Sequence, residues 1–221
     1  MLFYNTIRSR KDLALLVHDF GLHTREDKEN RAYWRSLART LRELKNLKVL
    51  LFRWSFTPFN PDPFAYILEG CTFQLESFTW LMPYESSLIP FLESQPFIRH
   101  LSLQWKPAHG SDSQIAPLAP SALPLLHALA GGAAVLDSIL PGRKTVTHLH
   151  WTKEGGGVPR FNSIGPELSS IKVFHYDTGF GFVQFVKHLP NLEVLHWHTL
   201  SFNVIQIHFF HFLIAALGCH C

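Results

Sequence analysis

Leu192-Glu193-Val194-Leu195-His196-Trp197 nearly repeats Leu47-Lys48-Val49-Leu50-Leu51-Phe52, and each segment follows an asparagine, Asn191 and Asn46. Both fit the frame apolar-x-x-apolar-x-apolar. The same frame fits Leu75/Phe78/Trp80, Ile98/Leu101/Leu103, Val146/Leu149/Trp151 and Ile171/Phe174/Tyr176. Weaker copies are Val17/Phe20/Leu22 and Leu126/Leu129, where Gly131 takes the last place. Successive first positions lie 20 to 30 residues apart. One match to so loose a template means nothing, but eight in near-regular order are hard to obtain by chance.

In a strand, residues two apart share a face, so the second and third apolar positions point the same way. The first apolar residue falls where the chain is still turning into the strand. Each unit thus supplies a short strand that cannot bury its own apolar side, and stacking the units buries a continuous core. The spacing lies close to the ~20–29 residue period of leucine-rich repeats. The fold class read from this is α/β: a leucine-rich-repeat-like solenoid over residues 1–200, with short parallel strands on one face and helices and loops on the other. Residues 201–221 do not continue the frame and read as a divergent or frayed tail.

The spacers return the chain to the next strand. Tyr33, Leu37, Leu41 and Leu44 form an apolar helix stripe, with Arg31, Arg35, Arg39 and Arg42 opposite. Asp62-Pro63 reads as N-cap plus first-turn proline of a short helix that ends before Gly70. Ser87 reads as the cap of a helix through Phe91 and Leu92. Ala133–Leu140 is a helix stopped by Pro141-Gly142, and Phe182, Phe185, Val186 and Leu189 mark another, stopped by Pro190. Residues 106–124 carry four prolines and 152–166 hold the Gly155-Gly156-Gly157 run, so both read as loops.

The 221 residues are 47% hydrophobic and 17% charged, with a formal net charge of +3, which points to no nucleic-acid or membrane partner. Three cysteines, Cys71, Cys219 and Cys221, do not make a disulfide framework. The start reaches Arg8, Arg10 and Lys11 before any long apolar run, unlike a signal peptide. The most apolar stretch, Phe202–Leu217, contains Asn203, Gln206, His208 and His211 and is shorter than the ~20 apolar residues of a span. These features predict a soluble protein of the cytoplasm or nucleus.

The segments Pro90-Phe91-Leu92-Glu93-Ser94-Gln95-Pro96-Phe97-Ile98-Arg99-His100-Leu101-Ser102-Leu103, Leu123-Pro124-Leu125-Leu126 and Leu140-Pro141-Gly142-Arg143-Lys144-Thr145-Val146 carry a further resemblance. Over roughly residues 10 to 200 the chain resembles the repeat region of fungal F-box/leucine-rich-repeat-like proteins. The resemblance implies a target-binding repeat surface. It also implies a Skp-type adaptor of a cullin-RING ubiquitin ligase as partner wherever an F-box is present. No F-box helices are legible ahead of the first unit, and no F-box residue is assigned.

Histidine, with 14 copies, is the most suggestive residue for function. In several units it sits beside the inward positions, so the exposed strand face carries His100, His148, His150, His175, His196 and His198. Arg53, Ser77, Thr79 and Ser102 occupy equivalent places and complete the candidate partner-binding set. His150, His175 and His196 would form a ladder across strands about 4.8 Å apart. A metal site or a pH-sensitive surface are the chemical readings of such a ladder, but no carboxylate or cysteine is spaced to join it, which disfavours metal. His208-x-x-His211 with Cys219-His220-Cys221 offers nitrogen and sulfur ligands, but without a Cys-x-x-Cys pair it reads as a frayed end. The arginine stripe belongs to a basic region, residues 1–53, of charge +6, and reads as the solvated face of a helix. Gly142-Arg143-Lys144-Thr145 lacks the order of a phosphate-binding loop, and Trp80, Trp151 and Trp197 read as core wedges. No nucleophile–base pairing is favoured by spacing.

The reading that follows is a non-catalytic protein-interaction module with no catalytic, metal or cofactor residues. Two alternatives are a fragment without a role of its own, prone to self-association, and a His-rich metal-dependent enzyme.

Overall fold

The computed structural model describes residues 2–24, 31–54, 64–82, 88–104, 117–152, 167–177, 188–198 and 204–208. The Asp62-Pro63 cap, the glycine run at 155–157, the helix at 182–186 and the His211/Cys219–Cys221 group lie outside the described residues. Nine strands form one sheet in chain order. They are β1 (Asp19–Thr24), β2 (Val49–Trp54), β3 (Ser77–Leu81), β4 (His100–Leu103), β5 (Ala128–Gly131), β6 (His148–Trp151), β7 (Val173–Asp177), β8 (Val194–His198) and β9 (Val204–His208). β1 to β8 run parallel, each paired with its sequence neighbours. β9, in the stretch that leaves the frame, turns back antiparallel to β8. The α/β class and the parallel strands are as the frame predicts.

Parallel neighbours need a crossover. Helices α1 (Leu2–Ser9) and α2 (Lys11–Ala14) precede β1; α3 (Arg31–Glu43), α4 (Ile89–Glu93) and α5 (Ala133–Ile139) lie between strands. Periodicity did not reveal α1 or α2, each too short to show a stripe. The stripe on α3 behaves as read: Leu37, Leu41 and Leu44 are buried while Arg35, Arg39 and Arg42 are exposed. The segment expected as a short helix before Gly70 is a 3-10 helix, Phe64–Leu68, and Gly70 takes φ +73 beyond it. α4 has Leu88, not Ser87, in the N-cap position, with no side-chain cap.

The frame maps directly onto burial. Leu50, Phe78, Leu101, Leu129, Leu149, Phe174 and Leu195 pair straight across the sheet and are all buried. Phe52, Trp80, Leu103, Trp151 and Tyr176 are buried two residues further on, with Gly131 in the same column. Phe52 meets Trp80 edge-on at 5.3 Å, and Trp151 lies 5.1 Å from Tyr176. Trp80 and Trp151 are thus core wedges; the Trp197 side chain lies outside the described set. Leu41, Ile67, Leu92, Leu136 and Ile139 from the crossovers join the same core cluster.

A second regularity was not in the frame. The carbonyl one residue ahead of each of β1 to β7 accepts two N–H groups from the next unit. Lys48 and Val49 donate to His18, Glu76 and Ser77 to Lys48, Arg99 and His100 to Glu76, and His127 and Ala128 to Arg99. The series continues through His127, Thr147 and Lys172 to Glu193 and Val194. Side chains add links between units. Asn46 donates to the Leu15 carbonyl at 2.8 Å, Asn191 to Ser169 at 2.6 Å and Ser170 to Val146 at 2.6 Å.

All units but one also have a buried position three residues before the first apolar one. There Ala14, Leu44, Leu123, Leu168 and Leu189 each take the N–H of the first apolar residue on their carbonyl. Two of the buried residues in this column are polar, Gln95 and Arg143. Gln95 accepts from the Leu75 N–H at 2.9 Å and donates to the Phe73 carbonyl at 3.2 Å. It thereby serves the one unit whose equivalent position, Thr72, is exposed. Arg143 is 3% exposed and donates to the carbonyls of Leu118, Ala119, Ala122, Ile139 and Pro141. Its guanidinium ties the end of α5 to the 117–122 segment, so the failed phosphate motif is a structural fastener. Burial lowers its pKa, and the ring of carbonyl acceptors compensates for the lost water.

Gly131 faces α5 closely: an added Cβ would lie 2.6 Å from Val135 Cγ1 and 3.1 Å from the Leu103 carbonyl oxygen. At Gly21 an added Cβ meets nothing within 4 Å. Gly131→Ala is therefore expected to lower unfolding free energy by about 1–3 kcal/mol through overpacking, while Gly21→Ala stays within about 0.5 kcal/mol of wild type. Urea titration followed by circular dichroism separates the two. Gln95→Leu is expected to cost about 1–3 kcal/mol in the same assay, because it strands a buried N–H and a buried carbonyl. A neutral Gln95→Leu would show that those two groups find other partners.

Candidate functional site

The residues between the inward positions point away from the helices. Val49, Ser77, His100, Ala128, His148, Val173 and Val194 form one row across β2 to β8. Leu51, Thr79, Ser102, Ala130, His150, His175 and His196 form the next. All of these are half-buried or exposed. Parallel sheets are ordinarily covered on both faces. Here the inward side chains share a core with the helices while the outward ones stay open.

Nine of the ten candidate partner-binding residues fall on this face: Arg53 on β2, Ser77 and Thr79 on β3, His100 and Ser102 on β4, His148 and His150 on β6, His175 on β7 and His196 on β8; the tenth, His198, ends β8. The side chain of His198 is outside the described set. A depression of about 290 Å³ gathers Thr79, His100, Ser102, His148, His150 and His175. Arg53, Ser77 and His196 lie beyond its lining. Its floor is Ala128 and Ala130, which the sequence reading passed over. The depression arises because β5 presents only methyl groups outward while β4 and β6 present longer side chains on both sides. Two alanines at alternate positions of a weak repeat unit were the available signal.

The ladder of histidines forms. His175 and His196 stack with centroids 4.2 Å apart and planes 6° from parallel, and His150 lies 5.6 Å from His175. One expectation is corrected: a carboxylate does join the ladder. Asp177, two residues beyond His175 on the same face, brings Oδ2 to 3.1 Å from His150 Nε2. Strand periodicity places 175 and 177 on one side, and the parallel register then sets 177 diagonally across from 150. Among the described residues no group of three or more His, Cys, Asp or Glu has the arrangement to hold a metal ion.

A second cluster lies at the start of β6. The His127 and His148 rings are 4.7 Å apart, and Thr147 Oγ1 bridges them at 3.1 Å and 2.9 Å. Burial first, then the neighbouring His127 and His100, push the His148 pKa below the ordinary histidine value. Outside the face, the Cys71 thiol is pushed up to about 12 by burial and is chemically quiet. Arg35 and Arg39 stand exposed, and Arg42 donates to the Glu69 carbonyl.

No family model matches the chain, and no curated protein matches it either. No helix among the described residues is long and apolar enough to cross a membrane.

The His148 shift has a consequence for stability. The unfolded chain protonates this histidine more readily than the folded one, so it binds more protons as pH falls through and below about 6.5. That linkage makes acidification destabilising. The melting temperature is expected to drop between pH 7.5 and pH 5, and His148→Gln should reduce that drop, as read by differential scanning calorimetry. An equal drop in both proteins would remove His148 as a contributor.

Proposed function

We propose that the chain is a non-catalytic protein-interaction module, a leucine-rich-repeat-like stack that grips a partner through its outward strand face. The observation that carries the reading is the one-sided burial of a parallel sheet: its second face presents in-register rows of hydroxyl, imidazole and small side chains. Strand order that follows chain order, and inward positions that recur in every unit, support the stacked arrangement. A face of short, closely spaced side chains suits an extended contact with another protein.

The sequence resemblance extends the proposal. The partner would be a substrate of an F-box-type ubiquitin ligase, acting in the cytoplasm or nucleus. A Skp-type adaptor would join through an F-box wherever one accompanies these repeats.

A photo-crosslinking amino acid placed at Thr79 or Ser102 tests the reading. The expected outcome is a discrete protein adduct from either position and none from the same group at Arg35 on α3. Adducts from Arg35 alone would overturn it. Recovery of ubiquitinated adducts would support the ligase role, and their stability to proteasome inhibition would count against it.

A further inference from the structure

We propose that the trough over Ala128 and Ala130 receives an acidic peptide segment of the partner protein, and that protonation of the histidines around it strengthens the grip. This rests on the reading of the strand face as an interaction surface and adds the partner's charge and the condition under which it binds.

Geometry supplies the first argument. The floor is two methyl groups, and His100 on one side with His148 and His150 on the other form imidazole walls, closed beyond by His175. An extended chain lying along β5 would rest its backbone on the alanines and direct carboxylates at ring N–H groups on either side. Such charge-assisted bonds are roughly twice as strong as neutral ones.

Charge supplies the second. The titratable groups that line the trough are His100 from β4, His148 and His150 from β6 and His175 from β7; just beyond it His127 stands against His148, Asp177 against His150 and His196 against His175. Arg99 and Lys172 stand one residue ahead of β4 and β7, and Lys172 is paired with Glu193 at 2.9 Å. Asp177 is engaged with His150. Protonation of several of these rings adds more positive charge than Asp177 carries.

Proton linkage supplies the third. His148 is held back from protonation by burial first and then by the neighbouring His127 and His100. A carboxylate delivered into the trough offsets the repulsion from those histidines and gives the half-buried ring a charge-assisted hydrogen bond in place of water. Binding then takes up protons, and affinity rises as pH falls through the histidine range. Each fully linked proton changes affinity about tenfold per pH unit.

The test is fluorescence anisotropy of an octaglutamate peptide bearing a pH-insensitive dye, titrated with the full chain at constant low salt. Binding is expected to be about tenfold or more tighter at pH 5.5 than at pH 7.5. The ratio should fall below about twofold in His148→Gln/His175→Gln. Ala130→Leu, which fills the floor, should weaken binding at pH 5.5, and Arg35→Gln/Arg39→Gln should leave the pH ratio intact. Circular dichroism confirms the fold of each variant. Equal affinity at the two pH values would overturn the proposal, as would a pH ratio that survives the double histidine variant. Tighter binding of an oligothymidylate of equal charge through the same histidines would also overturn it. If octaglutamate binding is insensitive to pH while crosslinks still map a protein to Thr79 or Ser102, only this proposal falls. If both results fail, the interaction reading falls with it.

Discussion

One backbone contact recurs through the sheet: the carbonyl just ahead of a strand takes two N–H groups from the start of the next. That contact leaves no freedom in register, because a slip of one residue would exchange inward and outward faces. With it in place, Leu50, Phe78, Leu101, Leu129, Leu149, Phe174 and Leu195 must lie in one buried column. The crossovers can then cover that column from one side only. The open face, its rows of side chains and the stacking of His175 on His196 all follow from the same register.

The unit from Leu126 to Gly131 shows how the two faces are coupled. Its inward end is a glycine, which lets α5 approach to a distance that any Cβ would block. Its outward positions are alanines, which leave the trough. Small residues on both sides make this strand thin where its neighbours are thick. On the inward side a helix fills the space; on the outward side it stays open as the trough. The same region carries the buried Arg143, whose carbonyl contacts hold α5 against the segment leading into β5. Those contacts fasten the helix that packs beneath the strand of the trough.

Much of this was legible from residue order. The apolar frame located all eight parallel strands, since a short strand with one buried face demands apolar residues two apart and nothing else so regular. The stripe of Leu37, Leu41 and Leu44 announced α3 for the analogous helical reason. Helices α1 and α2 escaped because eight and four residues give too few turns for a stripe to show. The column holding Gln95 and Arg143 escaped because it mixes polar and apolar residues. Both polar members are tolerated inside only because carbonyls of another unit lie within reach, a circumstance invisible along the chain. Asp177 was missed for a related reason: its partner His150 is 27 positions away, and only register makes them diagonal neighbours.

The sequence by itself determined the alternation of faces, the number of parallel strands and the residues each would show to solvent, because these depend on periodicity within a few neighbouring positions. Tertiary structure alone decided which outward residues meet. It raised walls beside Ala128 and Ala130, paired His150 with Asp177 and set His175 flat against His196. Those outcomes depend on loop lengths and on the shared carbonyl contacts that align one strand with the next, and neither is encoded in any single unit.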